Sequence, residues 1–353
     1  MNILYDGPFC PYPKGGVVRY FNEISTTLAA NNTIFFSRKP RSSFSKHIKL
    51  PIFSHFRPHR VSFYFEYFWH KYFINNKIHI IHPTEFELSP TGNYFVDGGS
   101  KLIITIHDLI HEKTGAPGKI YSKIQRSAFY SKADGFIFVS KSTQSDFARF
   151  YRELYNSKPS RVILHGCNYT NKKTKYSQRK KQFLFVGARN GYKNFLSAIS
   201  AFKKIVSLGT NSTLVVAGAR PTKEEISLTS PFESNVKWVE SPSDKDLQNL
   251  YSESLSLLYV SEYEGFGMPL LEAMSRGCIP IAGNHSSIPE VLGNSGIIVN
   301  VNNPDEIASQ MMKIITSKDY STSKVNKGFS MVNNFSWKKT AKQTLEFYIH
   351  VDK

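Results

Sequence analysis

Two carboxylates, Glu264 and Glu272, stand with seven residues between them in the segment SEYEGFGMPLLEAMSRGCIPI (261–281). They flank what reads as a loop-to-helix junction. The preceding LSLLYVS (255–261) is a short apolar run closed by a polar residue, the pattern of a buried strand. Pro269 suits the first helical position, where its missing N–H costs nothing, and Gly277 suits the helix end, where positive φ is wanted. A helix is therefore predicted from about Pro269. Its free N–H groups and positive dipole end face the crevice beyond the strand's carboxyl end, where open α/β sheets bind ligands. Glu272, placed in the first turn, could grip a vicinal diol through two hydrogen bonds, and Glu264 in the loop could meet a second polar group. Gly265 and Gly267 allow close approach of the backbone. The same pair also suits a surface loop whose glutamate merely satisfies a helix dipole, so alone it leaves both readings open.

Other residues have types suited to chemistry. Arg189 and Lys193 follow the strand-like FLFVG in a turn into a helix, where cations are disfavoured unless an anion is present. Gly15 and Gly16 open the first βα loop, and their N–H groups could meet phosphates; ordinary turn glycines would look the same. His107 and Asp108 end the strand LIITI. His107 and His111 have the spacing of two metal ligands, but the intervening Glu and a third ligand of a zinc enzyme are missing, which argues against a metal. Asp244-Lys245-Asp246 mimics a metal-binding D-x-D, yet SPSDKDLQNLY reads as a helix start with Ser243 as cap and acids in the first turn.

The elements that must position these residues alternate between strand and helix, the pattern of parallel sheets with helices on their faces. Strands are predicted at 2–5, 33–36, 78–82, 102–106, 135–139 and 161–164, then at 183–186, 213–217, 235–238, 255–260, 278–282 and 296–299. The expected organisation is a first Rossmann-like domain over 1–170, a basic linker over 171–181, a second Rossmann-like domain over 182–335, and a closing segment, 336–353. That segment is read as a helix from about Trp337 with Ser336 as N-cap. A chain of 353 residues, 41% hydrophobic, suffices for two such cores.

Three scattered cysteines, Cys10, Cys167 and Cys278, suggest reduced thiols rather than a disulfide framework. MNILYDGPF does not read as a secretory leader, and no apolar run reaches the ~18 residues of a membrane span. The expectation is a cytoplasmic protein, soluble or peripheral on a membrane. The net charge of +18 is unevenly placed: 1–170 carries +11, 171–181 carries +6 and 182–353 carries +1. Such an excess favours an anionic partner, and the absence of a nucleic-acid-binding motif argues against nucleic acid. Between Arg38 and Phe73 the chain is both basic and aromatic. In one reading Phe53, Phe56 and Trp69 lie near anionic headgroups neutralised by Arg38, Lys39, Arg41, Lys46, Lys49, Arg57 and Arg60. In the other, Phe63 to Phe73 is a buried helix and the charges form a solvated loop.

The segment around Glu264 and Glu272, with its continuation AGNHSSIPEVLGNSGIIVNVNNPDEIA (282–308), resembles the retaining nucleotide-sugar transferases of glycosyltransferase family 4. FLFVGARNGYKNFLSAISAF (183–202), GGVVRY (15–20), TIHDLIHE (105–112), FIFVSKSTQSDF (136–147), VILHGCN (162–168) and FSWKKTAKQTLEFY (335–348) follow in the family's order, covering nearly the whole chain. The resemblance implies the GT-B fold: two doubly wound Rossmann-like domains facing across a cleft, with the C-terminal helix crossing back onto the first. It implies a retaining, metal-independent hexosyltransferase without a cofactor. In this resemblance Arg189 and Lys193 meet the diphosphate, although Tyr192 precedes Lys193 where the commoner pattern has Arg next to Lys. Glu272 holds the ribose diol, Glu264 and the N–H groups near Phe266, Gly267 and Met268 hold sugar hydroxyls, and His107 contacts the donor sugar. A glycan acceptor is implied. The charge distribution suggests that it is linked to a lipid diphosphate at the inner membrane face, as in O-antigen or capsule assembly, and GDP-mannose is the first candidate donor. A nucleotide-sugar epimerase or hydrolase, or a non-catalytic glycan-binding protein, remain as alternatives.

Overall fold

The computed structural model of the protein describes residues 1–6, 15–36, 77–84, 88, 90–114, 123–168, 176–189 and 191–353. The basic and aromatic stretch 38–73, over which the two readings compete, lies outside the described residues, as does 171–175 of the basic linker. The chain divides into two compact units, one formed by Met1–Gly166 with Trp337–Lys353 and the other by Cys167–Ser336.

Among its described residues the first unit holds six strands, β1 (Asn2–Asp6), β2 (Thr33–Phe36), β3 (Ile80–Pro83), β4 (Lys101–Ile106), β5 (Gly135–Phe138) and β6 (Ser160–Val162). They form one parallel sheet in the order β2-β1-β3-β4-β5-β6. The second holds β7 (Gln182–Val186), β8 (Thr213–Gly218), β9 (Val236–Glu240), β10 (Ser256–Tyr259), β11 (Ile279–Gly283) and β12 (Ile297–Val299). Its parallel order is β12-β11-β10-β7-β8-β9. Each strand falls on a predicted one, with ends shifted slightly. Helices cover both faces of such sheets, so the inner strands are nearly continuous apolar runs. β4, KLIITI, is buried at every residue after Lys101.

Both sheets reverse their winding direction once, between β1 and β3 in the first and between β7 and β10 in the second. At a reversal the two neighbouring loops leave the carboxyl edge in opposite directions and open a crevice suited to a ligand. In the second unit the flanking helix Phe195–Ser207 buries Phe195, Ala198, Ile199, Phe202 and Ile205, a stripe at helical spacing, into a core with Phe183, Phe185, Leu214 and Val216.

The last helix, Trp337–Asp352, belongs to the first unit and packs on the helix Gly16–Leu28. Thr340 Oγ1 donates to the carbonyl of Leu164 at 2.8 Å. Gly135, at the start of β5, leaves room for this helix: a Cβ there would lie 3.0 Å from Phe347 and 3.1 Å from Val351.

Candidate active site

In the second unit the loops after β7 and β10 meet at the reversal. The loop after β7 forms a short turn, Gly191–Lys193, and its Tyr192 carbonyl accepts the N–H of Glu262 at 2.8 Å, a main-chain clasp between the two loops. Lys193 Nζ lies 2.6 Å from Glu264 Oε1, with only 17% and 11% of these side chains exposed. The Lys193 ammonium also stands 5.0 Å from the Tyr192 ring centroid and 5.8 Å from that of Tyr259. Burial, together with the neighbouring Glu264 carboxylate, pushes the Tyr259 hydroxyl well above its ordinary range. Two sequence-predicted residues, Lys193 and Glu264, are thus brought together as a shielded ion pair.

The Glu264 backbone is held by two serines that the sequence reading did not single out. Its N–H donates to Ser286 Oγ at 2.8 Å, and Ser287 Oγ donates to the carbonyls of Glu264 and Phe266, each at 2.9 Å. Ser286 sits at φ +50°, a left-handed conformation unusual for a residue with a Cβ. Gly267 follows at φ +101°, where a side chain would be strained, and caps the helix Met268–Ser275. Phe266 is itself a core residue, 6.2 Å from the Phe335 ring. The predicted helix end is also present, with Gly277 at φ +71° just past the last turn.

One expectation needs correction. The helix begins at Met268, with Pro269 at its second position, so Glu272 lies in the second turn and the first turn carries no acid. Glu272 is held instead from the side, where Tyr251 Oη donates to its Oε2 at 3.1 Å. Arg189 turns toward the segment after β8. Arg189 Nε donates to Glu225 Oε1 at 2.7 Å, Nη1 to the Ala219 carbonyl at 2.9 Å and Nη2 to the Arg220 carbonyl at 3.0 Å. Its guanidinium lies 5.4 Å from the Trp238 ring centroid. Burial acts to raise the Glu225 carboxyl, but Arg189 and the Thr222 N–H outweigh it and hold that group below the usual carboxylate range. Arg189 thus clasps the loop after β7 to the loop after β8.

Asp244 and Asp246 open the helix Asp244–Glu253 with Ser243 as N-cap, and Asp246 completes a capping box by accepting from the Ser243 N–H at 3.0 Å. The D-x-D therefore serves the helix start, as its context predicted. Among the described residues no group of three or more His, Cys, Asp or Glu converges as metal ligands.

The first unit places its chemistry differently. Gly15 caps and Gly16 begins the helix after β1, beside the reversal of that sheet. His107 follows β4, its ring 5.1 Å from Tyr20 and 5.8 Å from His165. Its Nε2 is buried without a hydrogen-bond partner among the described residues. Burial pushes the His107 pKa down to about 4, so the ring is neutral near pH 7. His82 is buried too, with Nε2 2.8 Å from Thr105 Oγ1 and Nδ1 hydrogen-bonded to Tyr348 Oη on the last helix. Burial, aided by His107, lowers the His82 pKa to about 3. Tyr20 Oη, 3.2 Å from the same Thr105 hydroxyl, is pushed up to about 12 by burial. This cluster draws residues from five segments far apart in sequence, so no local pattern announces it.

Two family models divide the chain: "Glycosyltransferase Family 4" over residues 14–170 and "Glycosyl transferases group 1" over 169–331. The chain belongs to this glycosyltransferase family. The O-antigen chain mannosyltransferase B of Escherichia coli is 26% identical over 170 residues, covering 47% of this glycosyltransferase and 45% of that protein. The O-antigen chain mannosyltransferase RfbU of Salmonella typhimurium is 28% identical over 211 residues, covering 58% and 57%. These matches span about half of the relatives' own length. Among solved structures, Anabaena Alr3699/HepE in complex with UDP and glucose superimposes with a TM-score of 0.75 at 16% identity, over 98% of this chain and 99% of that one. That likeness places the chain in the GT-B fold. Among the described residues, no helix is long and apolar enough to cross a membrane.

Proposed function

We propose that the protein transfers a hexose from a nucleoside diphosphate sugar to a hydroxyl of a growing glycan, with retention at the anomeric carbon, during assembly of a surface polysaccharide. Mannose from GDP-mannose is the first candidate, supported by the mannosyltransferase names of the relatives. The observation that carries the reading is the Lys193–Glu264 pair at the reversal between β7 and β10, with Glu272 on the adjoining helix. In this reading the diphosphate takes Lys193 as its counter-ion, Glu264 turns to the sugar hydroxyls with the N–H groups near Phe266, Gly267 and Met268, and Glu272 holds the ribose diol. Arg189 joins the diphosphate only by leaving Glu225.

The bond from the anomeric carbon to the β-phosphate oxygen breaks, the acceptor oxygen bonds to that carbon on the same face, and the acceptor proton passes to the departing phosphate. Fixed cations and N–H dipoles stabilise the charge that develops on the leaving group. Neutral His107 suits contact with a sugar gaining positive charge, because an imidazolium would repel it. A lipid-diphosphate-linked acceptor at the inner membrane face agrees with the +11 charge of residues 1–170. The test is a panel of nucleotide sugars assayed with and without lipid-linked acceptors, with the product anomer read by NMR and excess EDTA present in parallel. The expected result is acceptor-dependent, EDTA-resistant transfer that keeps the donor's anomeric configuration. Release of free sugar alone, an inverted product, or a strict Mg²⁺ or Mn²⁺ requirement would overturn the corresponding part.

A further inference from the structure

We propose that Tyr251 is a positioning residue of the nucleotide pocket, its phenol fixing the Glu272 carboxylate that grips the ribose; the inference rests on the donor site proposed above. Glu272 lies in the second turn of its helix, beyond the N–H groups that hold an acid in a first turn. A long glutamate side chain loses considerable rotamer freedom when a ligand fixes it, and holding it beforehand removes that cost from binding. Tyr251 can do this holding because it is itself immobile. Its side chain is 1% exposed, it is anchored on the helix Asp244–Glu253, and it reaches the neighbouring helix through a 3.1 Å hydrogen bond to Oε2. A carboxylate has roughly four acceptor lone pairs, so accepting from one phenol is compatible with accepting from a diol.

The spacing of the two helices is set by a third residue. Arg179 Nη1 donates to the carbonyls of Tyr251 at 3.0 Å and Ser254 at 2.8 Å, where the first helix ends. Its Nη2 donates to the carbonyl of Arg276, where the second helix ends. Burial disfavours the Arg179 charge, the negative ends of the two helices offset part of that cost, and the guanidinium pins one end to the other. Tyr251 is therefore clamped by its main chain while its hydroxyl clamps Glu272.

The experiment is calorimetric titration of GDP and UDP, each also as its 2′,3′-dideoxy analogue, into the full chain, Tyr251→Phe, Glu272→Gln and the double variant. Titrations are run below every variant's melting temperature. Of the two nucleotides, the one the parent binds more tightly serves as probe. Tyr251→Phe should weaken its binding by about three- to tenfold, the worth of one hydrogen bond. The loss should vanish for the dideoxy analogue and in the Glu272→Gln background. Donor KM should rise by the same factor while kcat stays within about twofold, the signature of ground-state binding. Equal loss for normal and dideoxy nucleotides would make Tyr251 a packing residue only, and no loss would mean that Glu272 is positioned without it. If Glu272→Gln weakens the normal and the dideoxy nucleotide equally, or weakens neither, the donor-site reading falls instead.

Discussion

At the carboxyl edge of the first sheet three histidines are held neutral by burial; at the corresponding edge of the second a lysine and a glutamate form an ion pair. His82, His107 and His165 all follow or end strands of the first sheet, and burial lowers the pKa of each. Lys193 and Glu264 occupy the equivalent edge of the second sheet as a 2.6 Å ion pair. The scaffold is of one kind in both units, a parallel six-stranded sheet under helices. What differs is the chemistry at its rim: neutral imidazole rings packed among aromatic side chains in the first unit, and in the second a paired lysine and carboxylate, whose charges we propose a diphosphate and a sugar take over. Fold alone therefore does not say which rim does which work; the side chains do.

The largest effect that sharpens this contrast is expected at Glu264. Glu264→Gln keeps the shape but removes the charge. Turnover should fall roughly 10- to 150-fold, the value of a charged hydrogen bond of about 1.5–3 kcal/mol, while nucleotide affinity stays within about twofold. Steady-state kinetics beside calorimetry reads both, and unchanged turnover would make the pair purely structural.

Acid should separate the units next. The ordinary histidine pKa near 6.5 is depressed to about 4 in His107 and about 3 in His82. The unfolded chain then binds more protons than the folded one between those limits. Stability is accordingly full above about pH 6.5 and falls as pH drops toward 4, by up to about 1.4 kcal/mol per pH unit for each histidine. The second unit has no counterpart in that window, since Glu225, held below the carboxylate range, loses its contribution only at lower pH. Hydrogen exchange at pH 7 and pH 5 should show β3, β4 and the last helix losing protection while β7, β8 and β10 keep theirs. Uniform loss would break the comparison.

A smaller effect is expected from Tyr348→Phe, which removes the partner of His82 Nδ1 and costs about 1–3 kcal/mol if the nitrogen is left unsatisfied. Thermal unfolding should show one transition shifted and the other unmoved. The smallest effect concerns the basic residues of the segment 38–49. Replacing Arg38, Lys39, Arg41, Lys46 and Lys49 with Ser should weaken binding to anionic vesicles without changing folding, and high salt should weaken the parent's binding likewise. Co-sedimentation at two ionic strengths reads this, and salt-independent binding would remove the electrostatic account.

The strands were legible because parallel strands covered on both faces are apolar runs, as in KLIITI of β4 and TLVVAG of β8. Lys193 and Glu264 were legible because each follows such a run in a glycine-containing loop. The partners of Arg189 were not, since the carbonyls of Ala219 and Arg220 lie in the loop after β8 and Glu225 in the helix that follows it, some thirty residues away in sequence. Glu272 was misplaced by a helix that starts one residue earlier than Pro269 suggested, at the point where Gly267 adopts positive φ. Tyr251, Ser286 and Ser287 carry no motif; their roles exist only once separate elements have packed.

The second unit is a continuous stretch, Cys167–Ser336, whereas the first is completed only by Trp337–Lys353. During synthesis the ribosome releases β1 to β6 long before the helix that covers Tyr5 and His82 emerges. The second unit can close while the first sheet still lacks one of its walls. The first-made half is thus the last to finish, and in the meantime its aromatic rim is the surface most in need of protection from aggregation.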